Sequence, residues 1–335
     1  MSKPNLRMGI LGAARIAPMA LVRPARQTDG VSVTAVAARE RRRAEKFARK
    51  QSIETVHDDY ASLLTDPDID AVYNPLPNSL HAEWTLHALD AGKHVLCEKP
   101  FTSNAAEADR VHQAAEQSGR IVMEAFHYRY HPLAQRILGL GASGELGKPR
   151  FIETWMCIPL PFPRDIRYRL DLGGGAMMDT GCYALHLART IAGEEPVVVA
   201  ARAKLASSEV DRAMSADLRF PSGAEGSIHC SLWSSKLAKI AAFVQLERGE
   251  IRVLNPIVPQ FYHRFTWRRT GGPWISEKFA KKPTYVYQLE AFRDAIVDGR
   301  PFPTTTADAA MNMRAVDAIY RAAGLRPRGE APVRH

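Results

Sequence analysis

Met8-Gly9-Ile10-Leu11-Gly12-Ala13-Ala14-Arg15-Ile16-Ala17 is the stretch whose reading decides the fold. An apolar run ends in Gly12. A small-residue turn and a predicted helix through about Gln27 follow, and Val31 to Ala37 reads as a second strand. Strand, glycine turn, helix and strand within about thirty residues form the βαβ unit that sets a pyrophosphate on a helix N-terminus. Gly12 permits the tight turn, and Ala14 and Ala17 occupy the second and third glycine positions with side chains small enough for close backbone approach. Gly12, Ala14, Arg15 and Ile16 are expected to touch a dinucleotide. The second strand runs out through Val36-Ala37-Ala38-Arg39 with no acid where NAD-specific folds place one for the ribose 2′-hydroxyl. Arg39 suits the adenine and a 2′-phosphate instead, and Arg43 can join it one helical turn later. NADP is expected over NAD.

The alternation continues outward from this unit. Tyr60 to Leu64 reads as helix, Ala71 to Asn74 as strand, His81 to Ala91 as helix and His94 to Glu98 as strand. Ala105 to Gln117 reads as helix and Ile121 to Ala125 as the closing strand. Such alternation predicts a doubly wound parallel sheet, an α/β Rossmann domain over residues 1–125, with ligands outside the carboxyl ends of its strands. Asn74-Pro75-Leu76-Pro77-Asn78 and Glu98-Lys99-Pro100 therefore fall on the binding edge, and Pro75, Leu76, Asn78, Glu98 and Lys99 are expected to contact the cofactor. His81 stands on the same edge. Cofactor contact there competes with helix capping by Asn78 or Ser79.

From Pro149 the pattern changes to strands at Phe151–Met156, Val197–Ala203, Ala216–Phe220, Gly226–Leu232, Ala241–Gln245 and Glu250–Leu254. Helices at Tyr285–Asp298 and Ala307–Ala323 close the chain. This predicts an α+β domain over 126–325 with an open, mostly antiparallel sheet, and a loose tail over 326–335. An apolar sheet face needs a cover, which a second subunit can provide.

Bulk composition narrows the function classes. The 335 residues suit two domains. No apolar run is long enough for a membrane helix, and Met1 to Arg7 leaves no space for a signal peptide's apolar region before Met8, so the reading is a cytoplasmic protein. Cysteines at 97, 157, 182 and 230 form no C-x-x-C pair and read as small buried hydrophobes. The net charge of +9 is not gathered into a basic tail, and its densest cluster, Arg39, Arg41, Arg42 and Arg43, already has a cofactor phosphate to bind. Nucleic acid is not expected as a partner. His127 and His131 have an i, i+4 spacing but no carboxylate or thiol completes a set, so no metal is expected.

Gly9–Ala17, Tyr73–His81, Gly92–Pro100, Glu124-Ala125-Phe126 and Gly173-Gly174-Gly175-Ala176-Met177-Met178-Asp179-Thr180-Gly181-Cys182-Tyr183 together resemble the glucose–fructose oxidoreductase, inositol dehydrogenase and rhizopine catabolism (Gfo/Idh/MocA) family. Within it the wording is most similar to dimeric dihydrodiol dehydrogenases, NADP-dependent D-xylose dehydrogenases and glucose–fructose oxidoreductase, which carry Tyr four residues after the Asp. The resemblance implies an oxidoreductase acting on a sugar, polyol or cyclic diol, with a C-terminal sheet used for homodimerisation.

Were the segment after the glycines helical, Asp179 and Tyr183 would share a face, extended by His186 and Thr190. Free Tyr, with a pKa of about 10, is a poor base near neutrality, and a neighbouring ammonium favours its phenolate. The family pattern implies Tyr183 as the proton acceptor, Lys99 as the group that lowers its pKa and binds the substrate oxygen, and Asp179 as an orienting group. The roles of Lys99 and Tyr183 can be exchanged. Tyr128, His186 and Arg167 complete the expected substrate-binding set, Arg167 with an equal claim to be a surface residue. Two other readings are a non-catalytic cofactor-binding sensor or repressor, which the intact Lys99, Asp179 and Tyr183 oppose, and a glycosidase that holds NAD.

Overall fold

The computed structural model describes residues 5–236 and 238–330. The residues Met1–Pro4 and the last five of the expected tail lie outside that range. The chain divides into two compact units: residues 1–102, 106–127 and 283–310 in the first, and 103–105, 128–282 and 311–335 in the second.

The first unit carries strands β1 (Leu6–Leu11), β2 (Val31–Ala37), β3 (Thr55–His57), β4 (Ala71–Asn74), β5 (His94–Cys97) and β6 (Val122–Glu124). Among the described residues they form one six-stranded sheet, ordered β3-β2-β1-β4-β5-β6, with every pair parallel. All four residues of β4 are buried, as a parallel strand covered on both faces requires. The helices between the strands are α1 (Arg23–Ala25), α2 (Arg41–Gln51), α3 (Tyr60–Leu64), α4 (His81–Asp90) and α5 (Ala105–Ser118). The expected long helix after Gly12 is instead a π-helical turn, Pro18–Val22, running into the short α1. Pro24 lacks the N–H that a regular helical ladder needs at its position, whereas Pro18 stands at the helix start, where none is needed. α3 is nucleated by a capping box, Asp59 with Ser62, and β3 is too short and polar to stand out in the sequence.

Helix α6 (Pro132–Ala142), strand β7 (Pro149–Cys157) and helix α7 (Cys182–Ala192) belong to the second unit. Strands β8 (Val197–Leu205), β9 (Asp211–Arg219), β10 (Glu225–Ser231), β11 (Lys239–Leu246), β12 (Gly249–Leu254), β13 (Arg264–Arg269) and β14 (Ile275–Glu277) complete its sheet. The order among the described residues is β14-β13-β12-β11-β7-β10-β9-β8, antiparallel except for the parallel pair β7–β10. Helices α8 (Thr284–Asp298) and α9 (Thr306–Ala322) follow.

Two expected boundaries are corrected. α8 belongs with the first unit, where Leu289 and Phe292 are fully buried and Arg293 donates to the Asp29 carbonyl at 2.6 Å. It packs on α1 and the Pro18–Val22 turn of the first unit, so it does not close the second domain. The first residues of the expected tail are also not loose. Arg326 pairs with Glu209, and Arg328 is 1% exposed.

Arg328 ends in a buried polar cluster at the start of β9. Its Nη2 donates to Asp211 Oδ1 at 2.8 Å and its Nε to the Gly174 carbonyl at 2.6 Å. Tyr320 donates its hydroxyl to the same Asp211 oxygen at 3.0 Å, and the Met177 N–H donates to Oδ2 at 2.7 Å. Burial pushes the Asp211 carboxyl up, and the guanidinium, the amide and the phenol oppose that push. Gly175 lies against this cluster with φ +140°, where a Cβ would press on Asp211 Oδ1 and stand 2.7 Å from the Tyr320 hydroxyl. Gly175→Ala is therefore expected to cost about 3 kcal/mol. A urea denaturation midpoint equal to the parent's would contradict this account of the turn.

Candidate active site

In the first unit, the register sets Leu11 opposite Ala37 and Ala37 opposite His57. The loops carrying Gly12, Arg39 and Tyr60 thus leave the sheet side by side at its carboxyl edge. Gly12 has φ +96°, and a Cβ there would meet Leu76 Cδ2 at 3.0 Å. Its N–H donates to the Ala37 carbonyl at 2.7 Å. The arginine cluster divides by partner. Arg41 pairs with Glu45 at 3.1 Å and with Asp58. Arg39 and Arg43 are both exposed, and among the described residues neither side chain has an ion pair or hydrogen bond. Tyr60 was not singled out by the sequence reading. Burial raises the pKa of its hydroxyl, while the Arg39 N–H and the charges of Arg39 and Arg43 pull it back. These residues fit a dianionic phosphate monoester, since two uncommitted guanidinium groups stand beside a backbone turn built for close approach.

Asn74 organises the next loop. Fully buried at the end of β4, it donates to the His81 carbonyl at 3.1 Å and to Thr85 Oγ1 at 3.2 Å, and its own carbonyl accepts the Glu98 N–H at 3.1 Å. His81 is 1% exposed, with Nδ1 2.8 Å from the Pro100 carbonyl and Nε2 2.8 Å from the Leu76 carbonyl. The expected cofactor contact by His81 is corrected: the ring is buried with both nitrogens facing carbonyls of the Leu76 and Pro100 loops, and in its neutral form it donates to one of them. Burial, and then the Lys99 charge, push its pKa down to about 4 against the pull of those carbonyls. Capping by Asn78 or Ser79 is not seen either, because neither the Asn78–Leu80 turn nor α4 begins on a side-chain cap.

Glu98 accepts the Tyr73 hydroxyl at 2.6 Å and is nearly buried. Tyr285 on α8 has its phenol pushed up by burial and then by Glu98. Lys99 is half-buried. Burial and then the Lys99 charge also depress His127, to about 3, and the His127 ring lies 4.0 Å from that of Tyr285. Lys99 thus has two buried histidines in its field, both held neutral near pH 7.

In the second unit, His131 accepts the Leu133 N–H at 3.1 Å to cap α6 and contacts the Ala280 carbonyl through Nε2. Among the described residues no group of three His, Cys, Asp or Glu is placed to hold a metal ion. Gly174 and Gly175 donate to the carbonyls of Arg169 and Arg167, each at 2.8 Å. The chain then enters a π-helical turn, Met177–Gly181, in which Cys182 N–H reaches the Met177 carbonyl. The expected regular helix starts only at Cys182, so Asp179 lies on a widened turn and Tyr183 on α7.

Arg167 commits its Nε to Asp179 Oδ2 at 2.9 Å and its Nη1 to Asp165 Oδ1 at 3.1 Å. Its side chain is 40% exposed, and two of its nitrogens are occupied by carboxylates. Asp165, itself an N-cap, was missed by the sequence reading. Tyr128 and His186 share a 2.6 Å hydrogen bond through His186 Nδ1, and the Tyr128 ring lies 6.2 Å from that of Tyr183. Both are fully buried, so they back Tyr183 from inside the fold. In the first unit a surface hollow of about 560 Å³ lined by Arg7, Asp70, His94 and Arg120 lies at the amino ends of the parallel strands, at the opposite edge from the Gly12, Arg39 and Lys99 loops.

Residues 6–126 match the model of the Gfo/Idh/MocA oxidoreductase family with an NAD-binding Rossmann fold, and residues 134–252 match its C-terminal domain. The D-xylose 1-dehydrogenase (NADP(+)) 2 of Haloferax volcanii is 37% identical over 322 residues, 95% of this chain and 97% of its own. Among solved structures, a 3-ketoreductase from Actinomadura kijaniata in complex with NADP and TDP-benzene superposes with a TM-score of 0.86 at 28% identity, covering 95% of this chain and 98% of that one. An aldose-aldose oxidoreductase from Caulobacter crescentus, complexed with glycerol, gives 0.88 at 27% identity over 96% and 98%. With its parallel glycine-turn sheet, its Glu98-Lys99-Pro100 edge and its Gly-Gly-Gly…Asp…Tyr helix start, the chain belongs to the Gfo/Idh/MocA family of oxidoreductases.

Proposed function

We propose that this protein is an NADP-dependent oxidoreductase that moves a hydride between a hydroxyl-bearing carbon of a sugar, polyol or cyclic diol and the nicotinamide. The observation that carries the reading is Tyr183, 5% exposed, backed by the buried Tyr128–His186 pair on a helix start whose Asp179 is held by Arg167. When bound, the cofactor supplies the hydride acceptor. Arg39 and Arg43 would hold its 2′-phosphate, and Gly12 the approach of its pyrophosphate. The relatives' use of NADP and of sugars supports the same assignment.

The division of labour follows from the residues. Tyr183 Oη accepts the hydroxyl proton during oxidation and returns it during reduction. Lys99 favours the phenolate and donates a hydrogen bond to the substrate oxygen. Asp179, held by Arg167, acts as an acceptor that orients a substrate hydroxyl or the Lys99 ammonium. His81 and His127, kept neutral, leave Lys99 as the cation of its loop. The protein is read as cytoplasmic and as a homodimer through the second unit's sheet. Val197, Val199 and Leu205 on β8, Leu254 on β12 and Ile275 on β14 are all exposed, which supports a covering subunit.

A panel of aldoses, inositols and cyclic diols scored for NADP⁺ reduction tests the substrate class. Lys99→Met should remove nearly all turnover while NADPH still binds, and retained turnover would rule out this assignment. Arg39→Ala should raise the KM for NADP⁺ by about tenfold and leave that for NAD⁺ almost unchanged. An NAD preference that survives the substitution would sink the 2′-phosphate assignment. Gel filtration with light scattering should give twice the chain mass, and a strict monomer would contradict the interface.

A further inference from the structure

We propose that Arg328, far along the chain from the catalytic motifs, is a positioning residue for the helix start that carries Asp179 and Tyr183. The proposal rests on the catalytic reading of that helix given above. Arg328 and Asp211 are 1% and 0% exposed, and their 2.8 Å pair lies deep in the second unit. A well-packed apolar pair of the same shape would serve stability about as well. An apolar pair lacks direction, and here both partners use their direction on one turn. The Arg328 Nε donates to the Gly174 carbonyl at 2.6 Å, and Asp211 Oδ2 accepts the Met177 N–H at 2.7 Å. The guanidinium also lies 4.1 Å from the centre of the Tyr320 ring, whose hydroxyl donates to Asp211 Oδ1 at 3.0 Å.

From that turn two routes lead to Asp179. The Asp179 N–H donates to the Gly175 carbonyl at 3.0 Å, which sets where its backbone begins. Gly175 N–H binds the carbonyl of Arg167, and the Arg167 Nε holds the Asp179 carboxylate at 2.9 Å. Rotation of the Gly174–Gly175 peptides would therefore displace both the Asp179 main chain and the cation that aims its side chain. Tyr183 follows on the same ladder. A misplacement of about 1 Å at a reacting group costs up to about a hundredfold in rate. Arg328 itself is held from both sides: its carbonyl accepts from Asn104 Nδ2 at 2.8 Å, and nearby Arg326 pairs with Glu209.

The test uses the full chain with Arg328→Met, Arg328→Lys, Tyr320→Phe and Tyr183→Phe. NADPH binding is followed by fluorescence titration, and turnover is measured with whichever sugar or diol in the panel gives the highest rate. Arg328→Met should bind one NADPH per chain with a Kd within about twofold of the parent, while kcat per binding-competent chain falls about tenfold or more. Arg328→Lys, which keeps the charge but not the planar fork, should recover part of that loss. Were Arg328→Met not to fold, Tyr320→Phe carries the test, with an expected fall in kcat of about threefold at unchanged NADPH affinity. Parent kcat in a folded Arg328→Met, or in Tyr320→Phe where Arg328→Met fails, overturns the proposal. A loss of turnover matched by an equal loss of NADPH-binding chains overturns it as well, since a purely structural role gives that result. Full turnover in Tyr183→Phe would instead bring down the catalytic reading itself, and the proposal with it.

Discussion

A carboxylate and a guanidinium buried side by side, Asp211 and Arg328, hold the turn that leads into the Asp179 segment of the second unit. Removing one partner of such a pair strands the other charge away from water, at a cost of about 3–5 kcal/mol. The pair is tolerated because every exposed direction of it is used: Tyr320, the Met177 amide and the Gly174 carbonyl complete the shell. Gly175 is a glycine for the same reason, because the space a side chain would take is occupied by the cluster. Gly174 is close-packed by backbone of the same chain, since a Cβ there would stand 2.6 Å from the Arg169 carbonyl oxygen.

The first unit follows a different electrostatic logic. Its sheet edge collects polar loops, and the fold ties them with neutral groups. Asn74 bridges strand to helix, and the neutral His81 ring lies between the Leu76 and Pro100 carbonyls, donating to one of them. Burial keeps His81 and His127 uncharged beside Lys99. Along the same edge, Arg39 and Arg43 are left without a protein carboxylate while Arg41 between them is paired twice. Paired charge holds geometry inside the fold, and the two uncommitted guanidinium groups are the ones proposed above to meet a cofactor phosphate.

Much of the fold was legible because its signals are local. Short apolar runs alternating with helical spacing from Met8 to Ala125 give a parallel sheet, and period-two strands from Phe151 give an antiparallel one. The misreadings have physical causes. The expected first helix is a π-helical turn with a short α1 that contains Pro24, and the polar, three-residue β3 carried no pattern. Helix α8 has an apolar face in either reading, but only packing shows that Leu289 and Phe292 serve the first unit. His81 looked like a ligand-edge residue, and its ring is buried between two carbonyls of the chain.

The sequence by itself determined the two sheets, the cofactor-edge loops, the family and the residue types at Lys99, Asp179 and Tyr183, since each depends on neighbours a few positions apart. Tertiary structure decided which of these groups have partners. Arg167 meets Asp179 across twelve residues, Tyr128 meets His186 across 58, and Arg328 meets Asp211 across 117. Pairings at such separations leave no periodicity in the chain. They exist because folding buries a polar atom and the nearest complementary group, wherever it lies in sequence, must satisfy it.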